Sequence, residues 1–78
     1  MNKIVNVGNV GGDMLDIHLD NGNILMLETK WLLAMPDYAE LSEDDRILYP
    51  HTDGDAVYWR NGPRIILEDI FALMRATR

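Results

Sequence analysis

The sequence contains no cysteine, a single serine and a single phenylalanine. Without cysteine, a disulfide scaffold, a thiol nucleophile and a thiolate zinc site are excluded, and the chain suits a reducing compartment. The one serine, Ser42, lies in Leu-Ser-Glu rather than in a nucleophile elbow. No P-loop, H-E-x-x-H or EF-hand pattern occurs, and Gly8, Gly11 and Gly12 do not form G-x-G-x-x-G ahead of a helix. Nucleophilic catalysis has almost nothing to work with, so the chain reads as a non-enzyme that needs no cofactor.

Positive charge is also scarce. Seven Lys and Arg stand against 13 Asp and Glu, a net charge of −6. That balance opposes nucleic-acid binding, whose affinity rests on neutralising phosphates. The imbalance is local: residues 60 to 78 carry Arg60, Arg64, Arg75 and Arg78 against Glu68 and Asp69. The longest apolar runs, such as Trp31 to Met35, are too short to span a bilayer. Asn2, Asn6, Gly8 and Asn9 interrupt any signal-peptide core. The expectation is a complete cytoplasmic protein with no membrane partner.

What is present is a single small domain, residues 1–78, in which 47% of the side chains are hydrophobic. A chain this short buries only ~60% of its unfolded surface, so stability rests on dense packing or on a partner chain. Ile4, Val5 and Val7 place a strand over Lys3 to Asn9, ending at Gly11-Gly12. Leu15, Ile17 and Leu19 alternate with Asp16, His18 and Asp20, the signature of a half-buried strand. Asn21-Gly22 predicts a two-residue type I′ loop. That loop pairs Leu19 with Ile24, His18 with Leu25 and Ile17 with Met26. Leu25 and Leu27 then lie on the outer face beside His18 and Asp16, where they are candidate interaction residues.

Thr29 is placed to cap a short helix, Lys30 to Met35, stopped by Pro36. One helical turn follows over Asp37 to Leu41, then an acidic loop at 42–45. Arg46 to Tyr49 and Ala56 to Arg60 read as a second hairpin around Asp53-Gly54, with Tyr49 opposite Tyr58 and Leu48 opposite Trp59. Ile66 to Ala76 is an amphipathic helix. The fold class is α+β: an antiparallel sheet of about five strands in two hairpins, with a short middle helix and a C-terminal amphipathic helix.

Three clusters carry possible chemistry. His51, Asp53 and Asp55 offer an imidazole and two carboxylates within five residues, a divalent-cation set or simply a hairpin tip. His18 between Asp16 and Asp20 offers a second ligand or acid–base site, or solvated strand polarity. Trp59, Arg60 and Arg64 interleave an aromatic with two guanidinium groups, which suits an interface or a core Trp with solvated arginines. Leu67 and Phe71 sit at the margin of the last helix's wide apolar stripe and are candidates for a second contact.

Leu15-x-Ile17-x-Leu19-x-Asn21-Gly22, Leu32-Leu33, Tyr38-Ala39-Glu40-Leu41 and Trp59-Arg60-Asn61-Gly62 follow one another as in a known group. Over residues 3 to 66 the chain resembles the small bacterial domain-of-unknown-function family 2442. Pro63-Arg64-Ile65 and the full helix beyond it depart from that pattern. The resemblance implies an α+β fold, no established activity, and an antitoxin-like or accessory role beside a partner protein. The residues and the resemblance together point to a non-enzymatic module that binds another protein or forms a homodimer. The alternative is a small-ligand or divalent-metal-binding domain using His18, His51, Asp53 or Asp55.

Overall fold

A computed structural model of the protein describes residues 2–76. Its strands form two consecutive β-meanders. The first is β1 (Ile4–Val10), β2 (Met14–Leu19) and β3 (Ile24–Glu28). The second is β4 (His51–Thr52), β5 (Ala56–Tyr58) and β6 (Arg64–Ile66). Each forms a three-stranded antiparallel sheet in sequence order. Between them lie a short helix, α1 (Thr29–Leu33), and a run of 3₁₀ turns, Pro36–Leu48; helix α2 (Leu67–Ala76) ends the described chain. The α+β class is as expected, with six strands in two sheets rather than about five in one. The additional strand is β6, in a segment read from sequence as turn and helix start.

The first hairpin corrects the expected register. Leu19 N–H donates to Asn23 O at 2.9 Å and Gly22 N–H to Leu19 O at 3.1 Å, closing a three-residue loop, Asp20-Asn21-Gly22. Only Gly22 takes a left-handed conformation, at φ 89°. This is a type I turn with a glycine bulge, not a type I′ turn. The register slips by one residue, so Ile17 faces Leu25 and Leu15 faces Leu27. A slip of one exchanges the two faces of a strand. Leu27 is therefore fully buried and Leu25 half-buried against the core, while Ile24 and Met26 are 53% and 54% exposed. Leu27 is not an outer-face interaction residue.

Thr29 also behaves differently from expectation. Its hydroxyl donates to Gly12 O at 2.9 Å and its N–H to Asp13 O at 2.9 Å, so it clamps the β1–β2 turn instead of capping α1. Asn9 completes that clamp, accepting from Gly12 N–H at 2.7 Å and donating to Ile47 O at 3.0 Å.

The second meander differs in its first strand. Arg46 to Leu48 belongs to the 3₁₀ run, which is broken at Glu43–Asp45, where Asp44 and Asp45 are left-handed. The strand is His51–Thr52, with His51 opposite Tyr58 and Thr52 opposite Val57. The expected pairing would have placed Pro50, which has no N–H, opposite Val57 within the ladder. Side chains settle a wider turn instead: Asp53 Oδ1 accepts from Asp55 N–H at 3.0 Å and from Ala56 N–H at 3.1 Å, and Thr52 donates to Ala56 O at 2.8 Å.

One core serves both meanders. Leu15, Ile17, Leu19 and Leu27 of the first sheet join Leu32, Leu41, Ile47, Val57, Trp59, Ile65 and Ile70. The sheets are linked where Ile4 N–H donates to Gly54 O at 2.8 Å. Among the described residues, no helix is long and apolar enough to cross a membrane.

Candidate functional site

Three surfaces gather the residues singled out by sequence. The first is the outer face and free edge of the first sheet. The register aligns Asn6, His18 and Ile24 in one row and Gly8, Asp16 and Met26 in the next. A bulge between Ile4 and Asn6 turns Val5 outward, leaving it 62% exposed. His18 and Asp16 thus share a face, as alternation predicted, but both are half-buried and no hydrogen bond joins them among the described residues. Asp16 Oδ1 is buried there with no partner among the described residues.

The edge itself follows from hydrogen-bond alternation. Leu19 and Asn23 form a hydrogen-bonded pair, so Ile17–Leu25 and Leu15–Leu27 do too. The N–H and C=O groups of Ile24, Met26 and Glu28 therefore point away from β2. Among the described residues β3 pairs with β2 alone. Pro and Lys, which commonly blunt such edges, are absent from its Ile-Leu-Met-Leu-Glu sequence.

The second surface is a groove of ≈ 570 Å³ beside α2, lined by Asn2, Asp55, Ile66, Leu67, Glu68 and Phe71. Leu67 and Phe71 come together here, half-buried against the core, while Asp55 and Glu68 make the rim acidic. Leu67 N–H donates to Asp55 O at 3.0 Å, which anchors the helix start to the second meander.

The third surface is a cleft of ≈ 480 Å³ lined by Arg46, Tyr49, His51, Trp59, Arg60 and Asn61. Three separate segments meet there: the end of the 3₁₀ run, β4, and the β5–β6 turn. His51 stacks on Tyr58 with ring centroids 5.6 Å apart. Trp59 is only 2% exposed and its indole N–H has no acceptor among the described residues. Sequence reasoning singled out Trp59, Arg60 and His51 and held Asn61 within the Trp59-Arg60-Asn61-Gly62 motif, but missed Arg46 and Tyr49. The one available signal was Arg46, the first base after an acidic run.

The proposed cation set does not converge. Asp53 Oδ2 accepts from Arg64 Nε at 3.0 Å while its other oxygen closes the turn, and Asp55 pairs with Lys3. His51 faces Tyr58. Among the described residues no three His, Asp or Glu side chains are placed to hold a metal ion. The Arg64 guanidinium and the backbone N–H of Asp55 hold the Asp53 carboxyl below the usual carboxylate range. The hydrogen bond to Asp55, with its charge, pushes the Lys3 ammonium up. Burial pushes the Tyr38 phenol up, helped by the nearby Asp69 and Asp37. Arg64 is spent on Asp53, whereas Arg60 is exposed and makes no ion pair among the described residues.

Compared with known proteins, the chain matches no family model, no curated protein and no solved structure.

Proposed function

We propose that the chain is a non-enzymatic protein-interaction module of the cytoplasm that pairs with a second copy of itself through β3. The observation that carries this reading is the open apolar edge, whose outward backbone groups at Ile24 and Met26 have no partner strand among the described residues. An antiparallel copy centred on Met26 would satisfy those groups and join the two first sheets into one. On the inner face Leu25 would lie beside Leu27 of the second copy, extending an apolar layer across the seam. On the other face the exposed Ile24 and Met26 side chains would lie beside Glu28 and Met26 of the second copy. The small size of the domain gives association a stabilising role.

Sedimentation equilibrium over a range of concentrations tests the proposal. A dimer is expected, and Met26→Pro should dissociate it, because proline removes an N–H that the monomer does not use. Met26→Lys should act likewise by charge. A wild-type chain that stays monomeric at high concentration, or a folded Met26→Pro variant that stays dimeric, would overturn the reading.

A second reading places a different protein in the α2 groove. Its acidic rim and apolar lining of Ile66, Leu67 and Phe71 suit a basic amphipathic segment. That role belongs to the same class as the accessory function implied by the resemblance. A basic amphipathic peptide should bind the wild type and lose affinity for Phe71→Ala; equal affinity for both would remove this reading.

A further inference from the structure

We infer that the cleft between the 3₁₀ run and the β5–β6 turn binds a small organic oxyanion, a carboxylate or phosphate carried on a flat apolar body. None of its six lining residues is acidic, although the chain as a whole has a net charge of −6. Every one of them carries a hydrogen-bond donor: two guanidinium groups, an imidazole, a phenol, an indole and a carboxamide. Such a concentration of donors in an acidic protein focuses positive potential in one place.

The two arginines are differently committed. Arg46 is held in position, its Nη2 donating to Arg60 O at 3.0 Å and its Nη1 lying 3.5 Å from Glu40. Gly62 makes room for it, since a Cβ there would sit 2.5 Å from Arg46 Nη2. Glu40 offsets part of the Arg46 charge, and it is half exposed to solvent, where such a pair is weak. Among the described residues Arg60 has no carboxylate partner, so its fork is open to a ligand. Trp59, which also lines the cleft, has a buried indole N–H with no acceptor among the described residues, an expensive group to leave unpaired. Tyr49, 66% exposed on the cleft wall, supplies an aromatic face against which a flat group can stack. The cleft volume falls within the range of small-molecule sites.

The two tryptophans, Trp31 and Trp59, make the test direct, because each gives one indole N–H signal in a nitrogen–proton correlation spectrum. Inorganic phosphate, phenyl phosphate and benzoate are titrated into the full chain. Phenyl phosphate or benzoate should shift the Trp59 signal and leave Trp31 unmoved, and the tighter of the two shows which oxyanion the arginines prefer. Inorganic phosphate should bind more weakly than phenyl phosphate, and Tyr49→Ala should narrow that difference. Arg60→Ala, an exposed change that leaves the melting temperature near that of the wild type, should weaken binding about tenfold or more. Arg60→Lys should fall between the two. Three outcomes would overturn the inference: no Trp59 shift with any probe up to about 20 mM, a limit far weaker than the millimolar end of specific binding; equal shifts of both tryptophans; or unchanged affinity in Arg60→Ala.

Discussion

Leu27 and Met26 are neighbours on β3, yet Leu27 is fully buried and Met26 is 54% exposed. Truncating each to alanine therefore reads out which face of the strand the fold uses. Leu27→Ala removes a packed side chain that touches the shared core and leaves a cavity, which costs about 2–5 kcal/mol. The whole domain, at 78 residues, has on the order of 4–12 kcal/mol of stability. The variant should thus lose a large share of it, and its melting temperature should drop by about 10–30 °C. Met26→Ala removes a side chain already half in water and should cost less than about 1 kcal/mol. Thermal and urea melts followed by far-UV circular dichroism measure both. They are run at several protein concentrations, because any contribution from association varies with concentration and that of the fold does not. If Met26→Ala costs as much as Leu27→Ala at every concentration, the three-residue loop and its register are wrong.

Gly22→Ala should cost about 1–2 kcal/mol in a urea melt, because the loop needs a left-handed residue there. Asn21, whose φ is negative, should tolerate alanine better, losing mainly the 2.9 Å bond from Asn23 N–H. Asp53 has its carboxyl pKa depressed by Arg64, so its contribution to stability is complete above the unfolded value of ~3.9 and is lost as pH falls through the lower, folded value. Melting temperature measured against pH should fall less steeply on the acid side in Asp53→Asn. Lys3 has the opposite sign: its contribution is complete below ~10.4 and is lost as pH rises through its raised folded value, a loss that Asp55→Asn should abolish. Gly62→Ala should displace Arg46 from Arg60 O, weakening oxyanion binding with only a small change in the melt.

Local pattern carried much of the fold. The alternation of Leu15, Ile17 and Leu19 identifies β2 and its inward face, and the apolar spacing of Leu67, Ile70 and Phe71 identifies α2. The Asn21-Gly22 turn is legible in position but not in type. One left-handed glycine serves a bulged three-residue loop as well as a type I′ turn needs two such residues. Alternation on β3 cannot choose between them, since Ile24, Leu25, Met26 and Leu27 are all apolar. The Asp53 hub was read as a ligand set because one of its partners, Arg64, becomes a neighbour only once β6 is in place, while the amides of Asp55 and Ala56 take up the other oxygen within the turn itself. The cleft was half visible for the same reason: Trp59 and Arg60 are adjacent in sequence, whereas Arg46 and Tyr49 reach them through tertiary packing.

The succession of two meanders also governs how the chain folds. Every strand pairing within a sheet joins consecutive strands, so the ladders close over short loops and little chain entropy is lost before contacts form. The seam is different, since Ile4 must find Gly54 across fifty residues. During synthesis β1 to β3 emerge complete while the cover for their apolar face, Ile47, Trp59 and Ile70, has yet to be made. In that interval Leu15, Ile17, Leu19 and Leu27 are open to solvent alongside the unpaired rim of β3. The same strand that leaves an open edge on the finished domain is therefore the point at which an unfinished one is most prone to aggregate.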